Sequence, residues 1–221
     1  TFDCVIANPP FSLKDWGAEN WANDPYGRGV SGIPPKGNGD LAWVQHMVKS
    51  MNSTGRMTVV LPHGAIFRPN AEARIRRYLI EHDLLEAVIG LGPNIFYGSP
   101  LATCIVVIKQ NKEVNKKGKV LFVDASELFR VGRAQNHLEP LHVKQIHDWV
   151  SDYRDVENHT KIVCVKDIQE NDFNLNIPLY VKKIVEDDLL SVEQAETELK
   201  AAWEASLKAE RDFKSVLERF I

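Results

Sequence analysis

At 221 residues, with 44% apolar and 26% charged side chains, the chain has the composition of an ordinary soluble protein and the length of one large domain or a domain plus an extension. Three widely spaced cysteines (Cys4, Cys104, Cys164), without a CxxC pair or a His cluster, point to a reducing cytoplasm and argue against a zinc site, and neither a signal peptide nor a run near the ~18 apolar residues of a membrane span is visible. The net charge of −3 divides into +3 over residues 1–141 (16 Lys+Arg, 13 Asp+Glu) and −6 over residues 142–221 (11 against 17), which suggests different partners for a mildly basic front and an acidic tail.

The chain opens without Met on Thr1-Phe2-Asp3 and at once enters an apolar strand, Cys4-Val-Ile-Ala7, so it reads as a fragment of a longer polypeptide. Asn8-Pro9-Pro10-Phe11 follows the strand directly. Proline has no N–H, so this turn is rich in acceptors and poor in donors, which suits a substrate group that only donates, such as an NH2. From Ser12 to Gly39 the sequence is polar and broken by Gly and Pro, as in functional lids or disordered loops. Trp16, Trp21 and Tyr26 within it either hold the loop down or touch substrate.

Asp40, a plausible N-cap, opens a helix whose apolar stripe is Leu41, Val44, Met47 and Met51. Met57 to Leu61 reads as a strand covered on both faces. Pro69-Asn70 starts a second helix bearing Ile75, Leu79 and Ile80 on one side and Arg74, Arg76 and Arg77 as basic residues. Strands follow at Leu84–Leu91, Thr103–Lys109 and Val120–Val123, then a helix near Pro140–Tyr153 and a β-like stretch at Lys161–Val165. The alternation predicts a doubly wound α/β sheet, whose ligands gather at the C-terminal ends of its strands. Asn8 lies at such an end, as does the Leu61-Pro62-His63-Gly64 turn. His63 is a general base or a turn histidine.

Residues 181–221 lack Gly and Pro and predict one long helix of about 60 Å at ~1.5 Å per residue. Val192, Ala195, Leu199, Ala202, Ser206, Ala209, Phe213, Val216 and Phe220 recur along it in steps of three and four, the seam of a coiled coil. Such a stripe packs back on its own domain or against a partner helix, and its length favours the partner.

Together these stretches resemble the C-terminal part of the modification (methyltransferase) subunit of type I restriction–modification systems, N6-adenine DNA methyltransferases. The resemblance is carried by Ala7-Asn-Pro-Pro-Phe11, Asn38-Gly-Asp-Leu-Ala-Trp43, Gly55-Arg-Met-Thr-Val-Val-Leu-Pro-His-Gly64, Leu85-Glu-Ala-Val-Ile-Gly-Leu91, Asn94-Ile-Phe-Tyr-Gly98, Leu121-Phe-Val-Asp-Ala125 and Asp172-Phe-Asn-Leu-Asn-Ile-Pro-Leu-Tyr-Val181. It implies the C-terminal half of a Rossmann-like fold in residues 1–141, a linking segment in 142–180 and an interaction helix in 181–221. It further implies S-adenosylmethionine as cofactor, DNA as substrate, and assembly in the cytoplasm with a specificity subunit, a restriction subunit and a second modification subunit. The family's Gly-rich cofactor loop precedes Asn-Pro-Pro-Phe and is absent here, so the fragment alone is expected to be inactive.

On this reading Asn8, Pro9, Pro10 and Phe11 are catalytic, with Asn8 also beside the cofactor, and Phe11 stacks on a flipped-out adenine. Phe96 or Tyr97 closes the base's other face, with Phe96 the more core-like of the two. Arg68, Arg74, Arg76 and Arg77 contact DNA phosphates or form an ordinary solvated face. Leu199, Trp203, Phe213, Val216 and Phe220 form the subunit interface. The alternatives are a non-catalytic assembly module docking on the specificity subunit, or a methyltransferase of RNA or protein amino groups.

Overall fold

A computed structural model of the protein describes residues 1–183 and 192–218. Contacts divide the chain into two compact units, Thr1–Lys183 and Ile184–Ile221.

The first unit is built on a six-stranded sheet: β1 (Phe2–Ala7), β2 (Met51–Pro62), β3 (Leu85–Leu91), β4 (Thr103–Lys109), β5 (Lys119–Ala125) and β6 (Thr160–Cys164). Their spatial order is β1-β2-β4-β3-β5-β6. β1 and β2 are parallel, as are β3 and β5, while β4 runs antiparallel to both β2 and β3 and β6 antiparallel to β5. The sheet is therefore mixed where a parallel one was expected. The cause is loop length: the short connection from Leu91 to Thr103 holds no crossover helix, so β4 must return in the opposite direction. It fills the gap between β2 and β3 left by the crossover through α2.

Three helices cover the sheet: α1 (Asp40–Ser50), α2 (Ala71–Glu81) and α3 (Pro140–Asp152), with a short α4 (Val165–Glu170) after β6. Successive strand residues point to opposite faces, and this alternation divides the core in two. Val88, Val106 and Phe122 join the core packed with α1 and α2, whereas Ile89, Val107 and Val123 join the core packed with Ile146 and Trp149 of α3. Every residue of β3 is buried, as a central strand covered on both faces requires. At the other extreme, β1 is a sheet edge paired only with β2, and its Ile6 is 77% exposed.

Residues 142–180 hold most of α3 and all of β6, and they belong to the first unit. They add β6 to the sheet and Ile168, Leu175 and Ile177 to the core, and the compact unit extends to Lys183. The long helix is also shorter than expected. Val181 is buried in the core, and Val181–Lys183 are not helical. In the second unit the described helix, α5, spans Val192–Leu217, about 39 Å long at ~1.5 Å per residue. None of its residues is buried, and Phe220 lies outside the described residues.

Candidate active site at the C-terminal rim of the sheet

β1, β2, β3 and β5 all end on the same rim, which collects Asn8, the Pro62-His63 turn, the Gly92–Ala102 loop and the Asp124-Ala125 end of β5. Asn8 leaves β1 with an exposed side chain, followed by half-buried Pro9, exposed Pro10 and half-buried Phe11. A carboxamide on an open rim, beside two positions without N–H groups, is free to accept hydrogen bonds from a ligand.

The turn is fixed from behind by a carboxylate that sequence reasoning assigned a lesser part. Asp40 is not the N-cap of α1, a place taken by Gly39. Asp40 is instead the first helical residue, 1% exposed, and its Oδ1 accepts the backbone N–H of Ser12 at 2.6 Å. Ser12 itself has φ +51°, an uncommon conformation for a residue other than glycine. Oδ2 of Asp40 accepts Arg68 Nη2 at 2.6 Å, and the same guanidinium donates from Nε to Glu72 at 2.6 Å. Burial opposes the charge of Arg68, but its bonds to Glu72 and Asp40 outweigh that and raise its pKa. A Cβ on Gly64 would collide with this guanidinium, which accounts for glycine in the Pro-His-Gly turn.

The expected basic face does not form as a set. Arg68 is engaged by the two carboxylates. Arg76, 3% exposed, donates to the carbonyls of Ala65 and Phe173 at 3.2 Å each, and burial brings its pKa down to about 10. It is a core cation tying α2 to neighbouring segments and is not placed to meet a phosphate. Arg77 pairs with Glu81 at 2.8 Å and lies over the Phe173 ring; Arg74 is exposed.

The two aromatic candidates separate clearly. Phe96 packs against the α3-side core and meets Phe11 edge to face, with centroids 5.8 Å apart and planes 77° apart. No base fits between rings in that contact, so Phe96 braces Phe11. Tyr97, one residue on, is 96% exposed. His63 sits edge-on to Phe67. Burial lowers its pKa, with Asp124 pulling the other way. Asp124 is itself half-buried; burial works against its charge, yet Ser126 and Lys183 hold its pKa below the ordinary value. Among the described residues no cluster of His, Cys, Asp or Glu could hold a metal ion, and no helix is long and apolar enough to cross a membrane.

Residues 1–188 match the N-6 DNA methylase family. The chain belongs to that family. Two curated relatives make the likeness more specific. One is the type I restriction enzyme MjaVII methylase subunit of Methanocaldococcus jannaschii, 32% identical over 207 residues, covering 90% of this chain and 36% of the relative. The other is the HindI methylase subunit of Haemophilus influenzae, 32% identical over 197 residues, covering 84% of this chain and 43% of the relative. The chain thus spans between a third and a half of the length of these two relatives.

Among solved structures, the type I restriction–modification methyltransferase subunit of Streptococcus thermophilus superposes with a TM-score of 0.77 at 36% identity, over 83% of this chain and 38% of the other. The EcoKI M protein shares the fold, with a TM-score of 0.59 at 18% identity over 91% of this chain and 48% of the other. The mixed α/β sheet is therefore that of an N-6 DNA methylase.

Proposed function

We propose that this chain is the target-base half of an adenine-N6 DNA methyltransferase, within the modification subunit of a type I restriction–modification system. The observation that carries the reading is the Asn8-Pro9-Pro10-Phe11 turn, exposed on the rim and fixed from behind by Asp40 and Phe96. The Asn8 side-chain carbonyl and the Pro9 backbone carbonyl each accept one N6–H bond from an extruded adenine. Together they aim the nitrogen lone pair and hold it at the ~3–3.5 Å of a near-attack geometry. Phe11 stacks on the base, and Tyr97, exposed and unencumbered, closes the other face. S-adenosylmethionine, when bound, supplies an electrophilic methyl group on a sulfonium. The residue of this chain beside it is Asn8; the Gly-rich loop that holds the rest of the cofactor in such enzymes is not in this sequence. No strong base is needed, because the methylated nitrogen sheds its proton readily, so orientation and electrostatics carry most of the rate. Asn8→Ala in the full-length subunit, assembled with its partners and assayed for methyl transfer to DNA, tests this directly.

A specific observation also supports an assembly role. Leu199 and Trp203 are each 66% exposed on α5, and Phe213 62%, with Val216 close behind, an apolar seam that a helix of the specificity subunit covers on this reading. The two roles coexist in one subunit acting in the cytoplasm on DNA, alongside a second modification subunit and a restriction subunit. Seam variants that lose the specificity subunit while leaving cofactor binding intact support the assembly role; unchanged pull-down rejects it.

A further inference from the structure

Beyond Phe11 the chain passes into the polar loop of residues 12–39, and its tryptophans do more than hold it down. Trp16 donates Nε1–H to Pro35 O at 3.0 Å and meets Trp21 edge to face at 5.0 Å. Gly39, at the start of α1, lies so close to Trp16 that a Cβ there would fall 2.9 Å from the ring, so only glycine fits. Trp16, Trp21 and Trp43, with Gly39, Ala42, His46 and Arg28, line an open cavity of about 190 Å³. Trp43 Nε1 is buried and has no acceptor.

We infer that this tryptophan cavity binds an unpaired DNA base within about five nucleotides of the methylation target. Its size excludes a drug-sized ligand, whose sites run to roughly 300–1,000 Å³, and suits a single ring system. The wall chemistry points to a neutral planar group. Arg28 already occupies the cation–π position over Trp21 and Tyr26, at 5.0 and 5.3 Å, and is itself neutralised by Asp24. A second cation is therefore unwelcome, and no free carboxylate lines the cavity to receive one. Aromatic faces favour a stacked planar ring.

Position argues the same way. Trp16 follows Phe11 by five residues, so the two lie within about 18 Å even if the chain is fully extended. That is about five base steps along a strand at ~3.4 Å each. The Ser12–Asp40 bond further ties the Asn-Pro-Pro-Phe turn to the helix that carries Trp43. The inference rests on the adenine-methyltransferase reading and deepens it, by adding a second aromatic contact to the extruded strand.

The test is fluorescence titration of the full chain with a short single-stranded oligodeoxynucleotide, with deoxyadenosine monophosphate and tetramethylammonium as competing probes. The strand is expected to quench tryptophan emission, and Trp16→Ala and Trp21→Ala each to weaken binding about tenfold, within the range of one lost base stack. Trp16→Phe, which keeps a stacking face, restores it. Parent-like affinity in both alanine variants overturns the inference; so does the mononucleotide binding as tightly as the strand, or tetramethylammonium displacing it. Methyl transfer is assayed separately in the full-length enzyme, so parent-like strand binding by Trp16→Ala and Trp21→Ala rejects the cavity while the methyl-transfer reading stands or falls on methylation alone.

Discussion

Ser12 and Asp40, 28 positions apart, are joined by a 2.6 Å hydrogen bond from the backbone N–H of one to the buried carboxylate of the other. The residue after the Asn-Pro-Pro-Phe turn is thereby locked to the first turn of α1, and through Arg68 to α2. Rim geometry and the stability of the domain share one ionic network.

That coupling fixes the effect of breaking it. Arg68→Ala leaves Asp40 and Glu72 buried without their cation and is expected to destabilise the first unit by roughly 3–5 kcal/mol. Asp40→Asn, which keeps an acceptor for Ser12, should cost less. Urea denaturation of the two variants against the parent checks the ranking; near-equal midpoints for Arg68→Ala and the parent would reject the network.

Phe11 and Phe96 are expected to divide their labour. Phe11→Ala removes the stacking face and should lower methyl transfer by about 5- to 100-fold, the equivalent of a lost stack of ~1–3 kcal/mol. Phe96→Ala leaves that face but removes the edge-to-face brace, so it should lower the rate less and reduce thermal stability more. A 2-aminopurine target base reports extrusion independently of the chemistry. If Phe96→Ala impairs extrusion more than Phe11→Ala, the assignment of stacker and brace is reversed.

The depressed pKa of His63 gives a signed pH effect. Its folded value lies below its ordinary 6.5 because burial penalises the charged ring. The unfolded chain therefore binds more protons in the window just below 6.5, and stability falls as pH drops through it. His63→Gln should flatten the curve between pH 7 and pH 5. An identical slope in the variant would show that other groups set it.

Much of this was legible in the sequence, for identifiable reasons. β1 and its tetrapeptide are local signals, as are the stripe of α1 and the mostly apolar run of β3, broken only by Glu86. The direction of β4 was hidden because an apolar run carries no mark of its polarity; only the length of the preceding connection did. Asp40 looked like a cap because its partners, Ser12 and Arg68, are both remote in sequence. Arg76 was grouped with Arg77 by charge, although its spacing from Ile80 and Leu79, four and three residues on, already placed it on the buried face of α2. Applying the helical period to charged residues as strictly as to apolar ones would have separated the two.

On α5, Leu199→Ser with Phe213→Ser should weaken capture of the specificity subunit while leaving the melting of the first unit unchanged, because the first unit carries its own core. A lowered melting temperature of the first unit would instead assign the seam to packing within the chain.

The most direct test concerns Asn8. Methyl transfer to DNA is measured in the full-length assembled enzyme carrying Asn8→Ala or Asn8→Asp, with cofactor binding measured in parallel. Loss of about 100-fold or more is expected for the alanine, in the range of a removed transition-state hydrogen-bonding group, with the aspartate, which keeps acceptor oxygens, retaining more activity and both binding cofactor. Unchanged methylation by Asn8→Ala would contradict the base-orienting role of the turn.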